Sequence, residues 1–206
     1  MADQSTNGHQ LRTEATKARL LAAAEEVFVR EGFENAQLHA IAKAAGRTKG
    51  SIYAHYRGKD DLFLALYEHR TREQIDHLLG LLENCSTREE AVCRFKDFLI
   101  STTQNKSWPL LTLEFKLYSV RHPESRERWV KSHDLVRATE RDVLNQKLFG
   151  KLSAPQRKRL ERSILAVGPI LSALTLETYF EPQLLSSDNF RHLFSSLVDT
   201  LLRPEE

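Results

Sequence analysis

The sequence predicts an all-α protein, and three observations carry that reading. Apolar residues recur at helical spacing along nearly the whole chain, and no stretch alternates with period two over a useful length. The 206 residues hold only eight glycines and six prolines, too few breakers for a sheet-and-turn protein. The length suits one large or two small domains. Cys85 and Cys93 lack CxxC or Cys/His companions, so they read as reduced, inert thiols and not as a disulfide framework.

Leu20, Leu21, Ala24, Val27 and Phe28 form one stripe of a first helix, from about Thr13 to Glu31, that stops at Gly32. Leu38, Ile41, Ala42 and Ala45 repeat the spacing in a short helix ending at Gly46. Thr48 is a good N-cap for a third helix through Ile52 and Tyr53. Beyond Gly58 the periods lengthen. A helix from about Asp60 to Leu82 is followed by one that Ser86 or Thr87 caps, with Val92, Phe95, Phe98 and Leu99 inward. Pro109 suits a first helical turn and Pro123 ends what it starts. Three more helices are expected, over Glu124 to Phe149, Ala154 to Phe180 and Asn189 to Leu202.

The last two are more apolar than one monomer of this size should need. That predicts a homodimer whose interface draws on Ile164, Ile170, Leu171, Leu174, Phe190, Leu193, Phe194, Leu197 and Leu201.

The run from Leu38 to Tyr53 is a helix, a tight glycine-containing turn and a second helix, the grammar of a helix-turn-helix. Ala42 permits a close helix crossing, and Gly46 can take the positive φ that so short a turn demands. The second helix would enter the major groove of DNA by its leading end, presenting Thr48, Lys49, Gly50 and Ser51. Tyr53, His55, Arg57 and Lys59 follow, polar-tipped or cationic groups suited to phosphate oxygens. Tyr53 is expected to combine a core-facing ring with a polar tip. Between residues 11 and 59, nine Lys and Arg stand against five Asp and Glu. That local excess of four exceeds the net +2 of the whole chain, the asymmetry expected when one end meets nucleic acid.

These residues resemble the TetR family of one-component transcriptional repressors. The resemblance covers roughly Thr16 to Tyr67. It joins Ala23-Ala24, Phe28, Gly32-Phe33, Ile41-Ala42, Ala45-Gly46, Thr48 to Tyr53, His55-Tyr56 and Lys59 to Leu62 in the family's order and spacing. It implies phosphate contacts by Thr48, Tyr53, His55 and Lys59, and base or sugar contacts by Lys49, Gly50 and Ser51. It further implies about nine helices, a homodimer formed by the last two long ones, and a small-molecule effector pocket in the central ones. Ala36 and Gln37 depart from the usual Thr-Thr at the second helix start, which shifts contact there toward Gln37 and His39. Tyr56 stands for the usual Phe. Arg47 completes the expected DNA-contacting set.

A pocket needs apolar walls with a few polar groups. Phe98, Trp108, Phe115, Tyr118, Trp129, His133, Phe180 and Glu177 supply both kinds in the central helices, although each taken singly reads as ordinary core. His69, Glu73 and His77 share a helix face at metal-ligand spacing, but no fourth ligand can be placed, and a solvated polar face explains them. No metal or cofactor is expected. Nor is an enzyme: Gly58-Lys59 lacks the rest of a phosphate loop, HExxH and GxSxG are absent, and adjacent carboxylates such as Asp60-Asp61 point to different faces.

Met1 to Gln10 lack the cationic start and apolar core of a secretory signal, and the apolar run Ile164 to Phe180 is too short and interrupted to span a bilayer. The expectation is a cytoplasmic protein without membrane contact, in which the acceptor tripeptides at Asn84 and Asn105 carry no meaning. Residues 1–58 are expected to form an N-terminal tail and three-helix DNA-binding domain, and 59–206 a helical effector-binding and dimerisation domain. The partners are then a double-stranded DNA operator, a second copy of the chain and a small molecule. The rival reading is a helical ligand-binding or adaptor module that binds no operator.

Overall fold

The computed structural model of the chain describes residues 3–134, 148, 153–184 and 188–202. Within these spans the side chains of 3–9, 154, 157, 159–165, 189, 201 and 202 are not described. All ordered elements among the described residues are helical: α1 (Asp3–Asn35), α2 (Leu38–Ala44), α3 (Lys49–Tyr53), α4 (Lys59–Glu83), α5 (Arg88–Thr102), α6 (Ser107–Arg121), α7 (residues 123–134), α8 (Ala154–Glu177) and α9 (Asp188–Leu202). The later part of the expected Glu124 to Phe149 helix lies outside the described residues, as do the side chains of Ile164 and Leu201. No helix among the described residues is long and apolar enough to cross a membrane.

The chain divides into two compact units. The first comprises residues 1–71 and 114–133, so the expected boundary after Gly58 falls inside it. Its core explains why. Leu20, Ala24, Val27 and Phe28 of α1 are buried with Ile41 of α2, Ile52 of α3, Leu62, Phe63 and Leu66 of α4, and Phe115 of α6. Phe33 meets Phe63 edge-on at 5.2 Å and Phe115 at 4.8 Å, and Phe63 stacks on Phe115 at 4.3 Å. Each fully buried Phe contributes roughly 1.5–3 kcal/mol, so α6 is held to the N-terminal helices by more than one core side chain.

α1 starts well before the expected Thr13, and Gly32 breaks its regularity with φ 76 and ψ 163. That region of backbone space is essentially glycine's alone. The break turns the chain so that the Phe33 amide donates to Glu114 of α6 at 2.8 Å.

A polar ladder joins α4 to α7. Ser125 donates to Asp60, Arg128 pairs with Asp61, Ser132 donates to Glu68 at 2.7 Å, and the Tyr67 hydroxyl lies 2.6 Å from His133 Nδ1. Pairing runs from Asp60 with Ser125 at one end to Glu68 with Ser132 at the other, so here α4 and α7 run parallel. Arg70 of α4 pairs with Glu25 of α1 at 2.5 Å.

The second unit comprises residues 72–113 and 134–206. Its core gathers Leu78 and Leu82 from the end of α4, Ala91, Phe95 and Leu99 from α5, Val167 and Leu171 from α8, and Phe190, Phe194 and Val198 from α9. Thr87 caps α5 by accepting the Glu90 amide at 3.1 Å. Lys96 reaches Asp199 at 2.6 Å and Ser195 at 3.0 Å, tying α5 to α9.

Candidate nucleic-acid interface

The first unit sets the turn between α2 and α3 by a glycine. Gly46 has φ 62, its amide donates to Lys43 O at 3.0 Å, and the Arg47 amide donates to Ala42 O at 2.8 Å, which closes the end of α2. A Cβ on Gly46 would meet nothing within 4 Å, so the backbone angle, not crowding, calls for glycine. Ile41, Ala42 and Ile52 are buried and fix the crossing of α2 and α3.

That anchoring leaves the leading edge of α3 in solvent. Thr48, Lys49 and Gly50 are exposed and Ser51 is half-buried. Thr48 Oγ1 accepts the Ser51 amide at 3.3 Å and lies 3.2 Å from Ser51 Oγ, so the expected contact residues also cap their own helix. Tyr53 departs from expectation. It is 52% exposed and its ring lies under Lys49 Nζ at 5.7 Å, because in so short a helix position 52 takes the core side and 49 and 53 share the outer one. The core ring of this stretch belongs instead to Tyr56. Its buried phenol is pushed up to about 12, chiefly by desolvation, with the charges of Glu14 and Asp61 adding to the effect.

Lys59 departs further. Its ammonium donates to Glu34 O at 2.7 Å and sits 4.8 Å over the Phe33 ring, binding the start of α4 to the end of α1. Burial lowers its pKa, opposed by the carboxylates of Asp60 and Glu34. One of its three N–H groups is thereby engaged inside the unit. Gln37 occupies the N-cap position of α2 without a side-chain cap bond, and it is exposed together with His39. His55 is half-buried.

An open cleft of about 480 Å³ lies between α1 and α3, lined by Arg12, Thr16, Arg19, Arg47, Ser51 and His55 among others. Arg12 and Arg19 escaped the sequence reading because they precede the helix-turn-helix. Their separation by seven residues, with Ala15 and Thr16 between, was the available signal for a shared face.

The residues expected to line an effector pocket are divided. Phe115, Tyr118, Trp129 and His133 belong to the first unit, where Phe115 and Trp129 are 5.5 Å apart and Trp129 stacks on His133 at 5.8 Å. Phe98, Trp108 and Glu177 belong to the second, with Trp108 buried, Phe98 beside His77 and Glu177 exposed. His69, Glu73 and His77 are spread along α4 and exposed, and no group of three metal-ligating side chains gathers among the described residues.

The expected dimer face is divided too. Leu171, Phe190 and Phe194 are spent on the core of their own unit, with Ile170 and Leu174 half-buried, whereas Leu193 and Leu197 are 68% and 37% exposed.

A family model for bacterial regulatory proteins of the tetR family matches residues 20–66. The chain is 42% identical over 57 residues to the HTH-type transcriptional regulator SrpR of Pseudomonas putida, covering 28% of this chain and 27% of that protein. It is 27% identical over 134 residues to the HTH-type transcriptional repressor Rv1474c of Mycobacterium tuberculosis, covering 65% and 67%. The chain thus spans about a quarter of the length of the first relative and two thirds of the second. In fold it is similar to a TetR transcription regulator from Haloarcula marismortui, with a TM-score of 0.66 and 16% identity over 91% of this chain and 98% of that one.

Proposed function

We propose that this chain, whose residues 20–66 match the tetR family of bacterial regulatory proteins, acts as a homodimeric transcriptional repressor, not as an enzyme. Two copies of the Thr48 to Tyr53 edge enter major grooves of a pseudo-palindromic DNA operator, and a small-molecule effector taken up by the central helices releases them. The carrying observation is the solvent-facing edge of Thr48, Lys49 and Gly50, held on the buried residues Ile41, Ala42 and Ile52. Hydrogen-bonding and cationic groups displayed by a rigid short helix are what base and phosphate contact requires.

Release requires an effector that binds better to the dimer form whose reading heads mismatch the half-site spacing, since equal affinity for both forms shifts nothing. α4 is the element suited to transmit it. It runs unbroken from Lys59 to Glu83 and has residues in both units.

A salt titration of binding to a duplex carrying the sequence upstream of the chain's own coding region tests the reading. Retention preferred over a scrambled duplex, with a steep salt slope, is the expected result. No retention even at low salt overturns it in favour of a ligand-binding or adaptor module.

A further inference from the structure

We propose that the cleft between α1 and α3 is a phosphate subsite, in which Arg12, Arg19 and Arg47 grip a DNA-backbone phosphodiester beside the base-reading edge. This rests on the DNA-binding function proposed above and adds to it a contact that precedes the helix-turn-helix.

One wall of the cleft is α1. Its buried stripe begins at Leu20, and residues 10–19 ahead of it are exposed or half-buried, so those turns are not required by the core. On those turns Arg12, Ala15, Thr16 and Arg19 stand at i, i+3, i+4 and i+7, one face that lines the cleft. The opposite wall carries Arg47, Ser51 and His55. Arg47 immediately precedes the N-cap Thr48, and Ser51 belongs to the reading edge itself, so the cleft and that edge are continuous.

Arg12, Arg19 and Arg47 all line the cleft and no carboxylate does. Several other cations of the same unit are matched: Arg30 with Glu26 and Glu31, Arg70 with Glu25, Arg128 with Asp61. Like charges gathered without a counter-charge repel, and an arriving anion relieves that cost. The guanidinium fork matches two phosphate oxygens at once. The Ser51 hydroxyl on the opposite wall can add a bond to the same phosphate, whereas the Thr16 hydroxyl already donates to the Arg12 carbonyl at 2.9 Å. Phosphate chemistry is shared by nucleic acid and by free phosphorylated molecules. Openness to solvent and continuity with the reading edge favour a chain of phosphodiesters that passes through.

The test uses the full chain and fluorescence anisotropy on two duplexes of equal length, one with the chain's own upstream sequence and one scrambled. Arg12→Gln/Arg19→Gln should lower the slope of log K against log salt by about 1 and weaken both duplexes by a similar factor, about tenfold, leaving their ratio intact. Arg12→Lys/Arg19→Lys should recover part of the slope. Arg126→Gln/Lys131→Gln removes the same charge from exposed positions on α7 and should keep the wild-type slope.

An unchanged slope in Arg12→Gln/Arg19→Gln, with wild-type binding intact, overturns the subsite alone. So does an equal drop in the α7 variant, which marks a net-charge effect, or a change in the ratio, which marks base contact. Wild type that retains neither duplex overturns the regulator reading and the subsite together. Inorganic phosphate at constant ionic strength that raises the unfolding temperature of wild type but not of Arg12→Gln/Arg19→Gln, with an unchanged salt slope, assigns the cleft to a free anion and overturns the DNA contact.

Discussion

Glu114 accepts the Phe33 amide at 2.8 Å, and the same carboxylate oxygen stands 2.9 Å from where a Cβ on Gly32 would sit. One α6 side chain therefore uses the break in α1, while the φ of 76 at Gly32, more than this movable carboxylate, favours glycine there. Because α1 carries the core stripe beneath α2 and α3, this contact lies in the same packed unit as the reading edge.

Gly32→Ala should accordingly destabilise the fold by about 2 kcal/mol, from backbone strain at φ 76 together with the crowding of Glu114. Glu114→Ala leaves a part-buried amide without its acceptor and should cost about 1–2 kcal/mol, whereas Glu114→Gln keeps an oxygen there and should cost less. Urea unfolding measures all three. A Gly32→Ala variant as stable as wild type would show that the break is not held in the folded protein.

Tyr56 predicts a specific alkaline response. Its folded pKa of about 12 lies above the value near 10 expected when unfolded. Its contribution is therefore fully present below about pH 10 and is lost as pH rises through about 12, since the unfolded chain releases the proton first. Tyr56→Phe keeps the buried ring and removes the proton, so its stability should fall less steeply over that window. A tyrosinate absorbance titration of the variant should lack one phenol that ionises near 12 in the wild type. Loss of a phenol titrating near 10 instead would place Tyr56 in solvent.

Tyr53 and Lys59 should separate in behaviour, although both were read as phosphate contacts. Tyr53→Ala removes an exposed ring and should weaken DNA binding without lowering the unfolding temperature. Lys59→Ala also removes the link to Glu34 and Phe33, so it should lose stability, by roughly 1 kcal/mol, along with affinity. Anisotropy paired with thermal unfolding distinguishes them. Equal stability of the two variants would mean that the Lys59 contact contributes nothing to the fold.

On α9 the two faces should respond differently. Leu197→Glu changes an exposed position and should yield a folded monomer by sedimentation velocity if the outward face meets a second copy. Phe194→Ala opens the core of the unit and should cost about 3–5 kcal/mol regardless of assembly. A dimer that persists in Leu197→Glu would remove α9 from the proposed interface.

The amino-acid sequence alone determined the helices, the breaks at Gly32 and Gly46, the cap at Thr48 and the exposed edge that follows it. Each of these is local: a backbone angle open to glycine, a hydroxyl three residues from its amide, an apolar period of one helix. Tertiary structure alone decided what each face meets. Phe115 reads equally as pocket wall or core until Phe63 is found stacked on it. Lys59 reads in sequence as a cation for phosphate, and only the tertiary structure shows the Glu34 carbonyl, 25 residues away, accepting its hydrogen bond. The α9 stripe shows its width in sequence, but only the packing of α5 and α8 divides it into a spent half and an open one. Arg12 and Arg19 come to line one cleft with Arg47 only when α1 lies beside α3. Periodicity states which side of a helix is apolar or charged. The partner on that side is set by contacts between residues far apart in the chain, and these have no local signature.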